Sequence, residues 1–532
     1  MRNAVIGIAL VLAGAAHADS FRADAMRAHM RFLASDLLEG RGTGTRGYDL
    51  AAAYVAAQFE AAGIEPGASG SYFQNVRFQR TTALASSKIM ITPERGTPVV
   101  LAYGEGFVTM GDALAETKTV EGEVVVAGYG VTSPELKHDD YAGLDVRGRI
   151  VAYFSGAPER FPGALRAHYS SSLVKLANAA SHGAAGVITL STPADSARAP
   201  WPRVIRQSRL GTMYWLEPDG APHAVRRDIS STVSLSPAGA VALFAGAAKT
   251  FAQASIDLEA GTLRGFALPV RASIQLASVH APAESPNVAG VVRGSDPQLR
   301  DEYLVYSAHL DHLGISDPVD GDAINNGAMD NASGIAAMIE IAKAFAKTPA
   351  RRSIIFLATT AEEKGLRGAD YFANNPTVPI EMIVANINID EVMMLHAVKD
   401  VVPLGSEVSD LGDSVAKIAS EMNLEISPDP YPEEVYFVRS DQYPFVKQGV
   451  PAIYVGMGYK AVDPGIDSKK AQIEWISTRY HTPKDDLSQD LDYSMVSTLA
   501  RFNYKLGVEV ANRTQRPAWT KGNFFGEKFG RK

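Results

Sequence analysis

Five side chains of types that commonly bind metals lie in the C-terminal half of the chain, far apart along the sequence. They are His309, Asp330, Glu363, Asp390 and His481. Each of the first four comes at the end of an apolar run that reads as a β-strand, or shortly after one. Because an α/β sheet gathers the ends of its strands at one edge, one sheet could bring these side chains together. Their types and positions predict the site of a metal-dependent hydrolase.

The first two of these residues lie in motifs that also have an ordinary structural explanation. His309 follows the apolar run 303–308, and Asp311 is placed to hold the other ring nitrogen of a metal-binding His309. Asp330 opens an apolar helix, where an aspartate often caps the helix. Alternatively, each of its two carboxylate oxygens could bind one cation. Neither motif decides between these roles by itself.

Two adjacent glutamates, Glu362 and Glu363, follow the apolar run 354–359. Such a pair at the start of a helix is usually solvated and favoured by the helix dipole. Beside cations, Glu363 could bind metal while Glu362 stays free, because the positive charge would offset the repulsion between the glutamates. The whole set of residues therefore indicates a metal site more strongly than any single member does.

The composition limits the chemistry of this site. The 532 residues include no cysteine, so disulfides and thiolate ligands are excluded and any metal must be bound by histidine and carboxylate. The net charge is -8, and no basic run or basic-aromatic stripe stands out, which argues against nucleic acid as a partner. The length and the 46% hydrophobic content predict a folded protein of several domains.

The first 18 residues have the pattern of a signal peptide. Arg2 precedes a run of uncharged, mostly apolar residues from Ala4 to Ala16, and residues 16–18 fit a cleavage site of small residues. The alternative is a membrane anchor, but the run is shorter than the roughly 20 residues that a spanning helix needs. The pattern predicts a periplasmic or secreted protein with no membrane segment after cleavage.

Along the rest of the chain, the pattern of apolar residues changes twice. Residues 23–62 have helical spacing, with a glycine-rich break at 40–44. From about residue 120 to 275 the sequence is rich in strand-like segments and poor in candidate catalytic groups, as in an inserted domain. From residue 284 onward apolar strands and helices alternate, which predicts an α/β domain.

Taken together, the motifs of this chain resemble those of a known family, the dizinc aminopeptidases of the superfamily that contains glutamate carboxypeptidase and transferrin receptor. The matching strings are those around His309, Gly327 to Gly334, Glu362-Glu363, Asp390, Arg439-Ser440-Asp441 and Tyr480 to Asp485. Residues 29–66, with Leu38-Glu39-Gly40-Arg41, resemble the helical entry of secreted bacterial members. The set of motifs in this order is specific, whereas each motif alone is not.

The resemblance implies the fold and the division into domains. Residues 19–119 and 276–532 would form an α/β, three-layer zinc-exopeptidase fold with a mixed central sheet flanked by helices. Residues 120–275 would be an inserted, mostly-β protease-associated domain. Residues 1–18 would be removed as the signal peptide.

The resemblance also implies two Zn²⁺ ions and a role for each site residue. His309, Asp330 and Asp390 would bind one zinc ion, and Asp330, Glu363 and His481 the other. Asp311 would orient His309, and Glu362 would act as general base for a hydroxide that bridges the metals. One departure is visible, because Met329 stands where relatives often have an acidic residue next to the bridging aspartate.

The expected function is a zinc-dependent exopeptidase that removes N-terminal residues from short peptides. One alternative is a glutamate-type carboxypeptidase or dipeptidase that uses the same metal pair. Arg439 and Asp441 are candidate substrate contacts, because Arg439 could bind a terminal carboxylate or merely pair with Asp441. A further alternative is a catalytically inactive, receptor-like binding protein.

Overall fold

The computed structural model describes residues 21–229 and 231–531. The signal peptide predicted for residues 1–18 lies outside the described residues. The chain divides into two compact units. Unit 1 comprises the described parts of Met1–Val76, Glu284–Pro430 and Arg439–Lys532, and unit 2 comprises Arg77–Ala283 and Tyr431–Val438.

Unit 1 contains most of the helices. They are Ala23–Leu33, Arg46–Ala61, Ser333–Lys347, Arg367–Asn374, Leu411–Glu421, Gln442–Lys447, Ser468–Thr478, Tyr493–Asn512 and Phe524–Phe529, with short helical turns at Asp36–Arg41, Ala328–Ala332 and Ile380–Met382. The first two helices enclose the glycine-containing break that the sequence predicts. A further helix, Tyr436–Arg439, lies at the end of the short stretch of unit 2 near residue 435.

The central sheet of unit 1 is mixed. Its strands lie in the order Glu65–Pro66, the end of Phe266–Val292, Ser353–Thr359, Tyr303–His309, Ile383–Asn388, Ala452–Met457, Asp400–Leu404 and Glu425–Ile426. The four strands in the middle, from Ser353–Thr359 to Ala452–Met457, run parallel to one another. Their carboxyl ends therefore meet at one edge of the sheet. A separate hairpin pairs Gly314–Val319 with Asp322–Asn325.

Helices cover both faces of this sheet, as successive residues of one strand show. The ring of Tyr306 packs near Phe345, and its hydroxyl donates to the carbonyl of Asn503, so this face carries two long helices. The next residue, Ser307, points to the opposite face. There it bonds to Asn388, which bonds in turn to Gln442 at the start of another helix. Unit 1 is thus the three-layer α/β fold that the sequence predicts.

Unit 2 is built on a second mixed sheet. Its strands lie in the order Val99–Ala102, Lys88–Pro93, the first part of Phe266–Val292, Thr117–Val126, Ile150–Phe154, Gly186–Leu190, Thr232–Leu235 and Phe107–Val108. Thr212–Trp215 pairs with part of Phe73–Ala83, and Thr132–Ser133 with His138–Asp139. The helices are Gly163–Ser170, Ser172–Ser181, Pro193–Arg198, Trp201–Arg209, Pro237–Leu243 and Phe251–Glu259, with short turns at Pro134–Leu136 and Pro432–Glu434. Among the described helices of both units, none is long and apolar enough to cross a membrane.

Unit 2 extends further along the chain than the insertion predicted for residues 120–275. The strands Lys88–Pro93 and Val99–Ala102 pair into the sheet of unit 2, upstream of the predicted boundary. The strand-like pattern of the sequence becomes clear only near residue 120, so it does not predict that these earlier strands belong to unit 2. The identity of unit 2 as a protease-associated domain stays a prediction.

We expect Phe356→Ala to destabilise unit 1 strongly. Phe356 is fully buried in the central sheet, and its ring stacks on Tyr306 with the ring centroids 5.3 Å apart. Loss of the ring leaves a cavity, so the free energy of unfolding should fall by about 3–5 kcal/mol. Urea denaturation followed by circular dichroism measures this change. Val462→Ala, at a position that is 62% exposed, is the control and should cost no more than about 0.5 kcal/mol. Equal effects of the two changes would contradict the assigned core.

Candidate metal centre

The fold of unit 1 brings the five predicted ligands together. His309, Glu363 and Asp390 lie at or just beyond the carboxyl ends of three neighbouring parallel strands. Asp330 lies in the turn before a buried helix, at a cis peptide bond to the next residue, and His481 lies between two helices. All five therefore lie in one region of the fold although they span more than 170 positions of sequence.

His309, Asp330 and Asp390 form a first group of possible ligands. Nε2 of His309 lies 3.1 Å from Oδ1 of Asp330 and 3.0 Å from Oδ1 of Asp390. One ligand atom from each residue can be chosen so that all three lie within 4.8 Å of one another. Imidazole nitrogen and carboxylate oxygen are typical zinc donors, so this group can bind one cation.

Asp330, Glu363 and His481 form a second group. Nε2 of His481 lies 3.1 Å from Oδ2 of Asp330 and 3.2 Å from Oε2 of Glu363. Asp330 thus turns one carboxylate oxygen toward each group, since its Oδ1 faces His309. This is the arrangement that a carboxylate shared by two cations requires.

His312 is a further imidazole at the second group, and the sequence analysis does not single it out. Its Nδ1 lies 2.7 Å from Oε1 of Glu363 and 3.8 Å from Oδ2 of Asp330. These three residues also offer ligand atoms within 4.8 Å of one another. Burial lowers the pKa of His312 to about 4, so the ring is neutral at pH 7. The signal in the sequence was its position next to Asp311, in the string that begins at His309.

The buried negative charge of the site calls for cations. The side chains of Asp330, Glu363 and Asp390 are only 5%, 4% and 14% exposed. Among the described residues, the ion pairs of these three carboxylates are made with histidines and not with lysine or arginine. Buried carboxylates without a cationic partner are costly. Divalent metal ions would supply the positive charge, and the donor set fits them.

Glu362 lies next to Glu363 but belongs to neither group of ligands. Burial raises the pKa of the Glu362 carboxyl well above its ordinary value; His309 opposes this shift, and the negative charge of Glu363 adds to it. A carboxyl group with a raised pKa can exchange protons nearer to neutral pH than an exposed glutamate can. This environment suits the role of general base that the resemblance implies for Glu362.

Asp311 holds His309 in a different way from the predicted one. The prediction assigns its carboxylate to the free ring nitrogen, but Nδ1 of His309 lies 3.0 Å from the main-chain carbonyl oxygen of Asp311. The carboxylate instead accepts hydrogen bonds from the hydroxyl of Thr43 at 2.9 Å and from the main-chain N–H of Glu362 at 3.0 Å. The reason is that these two donors are themselves buried at the site and need an acceptor. Asp311 thus links His309 to the segment that carries Glu362.

Asp485 fixes the turn that carries Asp330. Its two carboxylate oxygens accept from the main-chain N–H groups of Met329 and Asp330, each at 3.0 Å, and its carbonyl accepts from Ala328 at 3.0 Å. Asp485 is fully buried. The sequence places it in the last matching string without assigning it a role, because hydrogen bonds to a distant turn leave no pattern in the sequence.

The candidate substrate contacts Arg439 and Asp441 differ in their exposure. Arg439 is exposed, whereas Asp441 has no exposed surface and accepts a hydrogen bond from the hydroxyl of Thr359. Burial raises the pKa of Asp441 to about 7. Asp441 therefore lies beneath the site, where a substrate cannot reach it in this conformation. Between the two, Ser440 donates to Oδ2 of Asp390 at 2.5 Å and so positions a predicted ligand.

We expect Asp485→Asn to destabilise unit 1. The amide can accept from only one of the two N–H groups of Met329 and Asp330, and its NH₂ group would face the other donor. The free energy of unfolding in the presence of EDTA should fall by about 1–3 kcal/mol. Urea denaturation measures the loss, and Asp490→Asn at an exposed position is the control. An unchanged stability would contradict the role assigned to Asp485.

Comparison with known proteins agrees with this geometry. Residues 287–506, which include all five predicted ligands, match the model of Peptidase family M28. Of the solved structures, an aminopeptidase from Aneurinibacillus sp. strain AM-1 is similar over 94% of this chain and 96% of its own, with a TM-score of 0.56 and 20% identity. At this level of identity the likeness shows a shared fold.

Relatives of known sequence match shorter stretches. A protein named probable zinc metalloprotease, from Pyrenophora teres f. teres, is 33% identical over 111 residues, which are 21% of this chain and 23% of the relative. Aminopeptidase NAALADL1 of Mus musculus is 27% identical over 324 residues, which cover 52% of this chain and 40% of the relative. The matches thus span about a quarter to less than half of the length of these relatives. The match to peptidase family M28 thus covers residues 287–506, which are less than half of this chain.

Proposed function

We propose that this protein is an aminopeptidase that hydrolyses short peptides with the help of two zinc ions. The observation that carries the proposal is the meeting of five predicted ligands around the shared carboxylate of Asp330, with Glu362 beside them and outside both groups. The names of the fungal relative, the mouse relative and the Aneurinibacillus protein support zinc and an aminopeptidase activity.

The donor set fits zinc. The five proposed ligands are His309, Asp330, Glu363, Asp390 and His481, and the chain has no cysteine that would offer a softer donor. Zinc ions bound there would lower the pKa of a water molecule and polarise the carbonyl of the scissile bond. The buried walls of the site would strengthen both effects, since they exclude bulk water.

Glu362 would move the proton in this reaction. As general base it would accept a proton from the attacking water, and as general acid it would return that proton to the departing amine. Its main-chain N–H is held by Asp311, which fixes the segment on which the carboxyl group lies. Burial raises the pKa of Glu362 above its ordinary value, which is the direction that a group exchanging protons nearer to neutral pH needs.

Whether the enzyme removes residues from the N-terminus or the C-terminus of a peptide depends on a different residue, Arg439. Arg439 is exposed, and the adjacent Ser440 bonds to the proposed ligand Asp390. A cation at this place could bind a terminal carboxylate, so a glutamate-type carboxypeptidase or dipeptidase remains the second candidate. An inactive, receptor-like protein is a third, and it would need no general base.

The location of the protein and the role of unit 2 are also part of the proposal. The pattern of residues 1–18 would export the chain to the periplasm or out of the cell. Unit 2, as a protease-associated domain, would either limit the substrates to short peptides or serve as an interaction module with no effect on turnover. Each of these expectations rests on the sequence.

We expect Glu362→Gln to abolish turnover while leaving the metal in place. The amide has the size of the carboxyl group but cannot take up the proton, so kcat should fall by about 10²- to 10⁴-fold. Zinc content, measured by plasma emission spectrometry, should equal that of the wild type. Glu474→Gln, at an exposed helical position, is the matched control and should keep full activity. A Glu362→Gln enzyme with wild-type kcat would refute the assignment.

We expect the enzyme to require a free N-terminus. Aminoacyl p-nitroanilides and unblocked peptides should be cleaved, whereas N-acetylated dipeptides should resist. Mass spectrometry of a digested peptide library reports which end is shortened. Release of C-terminal residues from blocked substrates alone would favour the carboxypeptidase or dipeptidase, and no cleavage with zinc bound would favour the receptor-like protein.

A further inference from the structure

Arg41 is a buried arginine whose guanidinium, within the described part of the chain, bonds only to main-chain carbonyl groups. The residue is 1% exposed. Nε donates to Leu310 at 2.9 Å, Nη2 donates to Gly327 at 3.0 Å, and Nη1 donates to Asn326 at 2.5 Å and also to Leu33. Among the residues that the structure describes, no carboxylate forms an ion pair with it.

The acceptors of Arg41 flank two of the proposed zinc ligands. Leu310 directly follows His309, and Gly327 directly precedes the turn that contains Asp330. One planar group thus joins the segments that carry the ligand of the first group and the shared carboxylate. A guanidinium suits this task because its donors have a fixed geometry in one plane, whereas an ammonium group is a single point of charge.

The neighbours of Arg41 in sequence dock on the same segments. The carbonyl of Arg41 accepts from the N–H of His312 at 3.2 Å, and the hydroxyl of Thr43 bonds to Asp311. Gly40 has a φ of +69°, and a Cβ there would lie 2.5 Å from the carbonyl oxygen of Asn325. The chain must therefore have glycine at this position to bring Arg41 into place. Residues 40–43 form one continuous support beneath the site.

The charge of Arg41 acts on the site as well. Burial lowers its pKa to about 10, while the carboxylates of Asp330, Asp485 and Asp311 oppose that shift. The group is still cationic at neutral pH. It therefore adds positive charge near the place where the zinc ions would bind.

We propose that Arg41 is a positioning residue of the zinc centre, which sets the distance between His309 and Asp330 and thereby the affinity for zinc. This inference rests on the proposed zinc function. It assigns a role to the helical entry of the chain, a part that lies outside the segment matched by the family model.

The two possible effects of Arg41 on zinc have opposite signs. If its charge dominated, removal of the cation would make the site more negative and zinc would bind more tightly. If its positioning dominates, removal frees the two ligand segments and zinc binds more weakly. The loss of a residue that orients metal ligands typically costs about 10- to 100-fold in metal affinity.

The experiment is an equilibrium competition for Zn²⁺ between the full-length protein and a chromophoric chelator. We expect Arg41→Met to weaken zinc binding by about 10- to 100-fold, and Arg41→Lys to weaken it as well although the charge is kept. Arg352→Met is the matched control. Arg352 is also fully buried and donates to the carbonyls of Val510 and Thr514, at the opposite end of the strand Ser353–Thr359 from the site. Unlike Arg41, it also forms an ion pair, with Glu302 at 2.6 Å. This control should lower the unfolding midpoint in urea and leave zinc affinity within twofold of the wild type.

Each other outcome is decisive. Wild-type or tighter zinc binding by Arg41→Met would overturn the positioning role, and so would equal losses of affinity in Arg41→Met and Arg352→Met. If Arg41→Met does not fold, Arg41→Lys carries the comparison; a lysine variant that stays unfolded at saturating zinc would show a folding role and overturn the proposal. A wild-type protein that binds no zinc would instead overturn the proposed function.

Discussion

The burial of three carboxylates against one another, at the end of an apolar sheet, is the constraint on which the rest of the site depends. Asp330, Glu363 and Asp390 have little exposed surface, and their ion-pair partners among the described residues are imidazoles. In a region of low dielectric this arrangement is unfavourable unless cations balance it. Metal ions bound at these residues would therefore contribute to the stability of unit 1 as well as to its proposed chemistry.

A layer of hydrogen bonds holds these carboxylates in place, and most of its members act through the main chain. Asp485 fixes the turn of Asp330, Asp311 joins His309 to the Glu362 segment, and Ser440 holds Asp390. Arg41 connects two of these segments from below. Such bonds keep ligands oriented before metal arrives, which reduces the cost of assembling the site.

The sequence predicts the scaffold well, because strands and helices follow local patterns. The strands Tyr303–His309 and Ser353–Thr359 form where buried apolar runs predict them. His309, Glu363 and Asp390 meet because parallel strands end at one edge, whereas Asp330 and His481 come from a turn and a loop. Long-range hydrogen bonds follow no such pattern. The place of His312, the burial of Asp441 and the hydrogen bond from the ring of His309 to the carbonyl of Asp311 depend on how distant loops pack.

The most direct measurement of the central claim is X-ray diffraction from crystals of the zinc-loaded protein, recorded on both sides of the zinc absorption edge. The account predicts two anomalous peaks on either side of the Asp330 carboxylate. One should be bound by His309 and Asp390, and the other by Glu363 and His481. Peaks that lie away from these residues, or no peak at Asp330, would contradict the claim that metal ions balance the buried carboxylates.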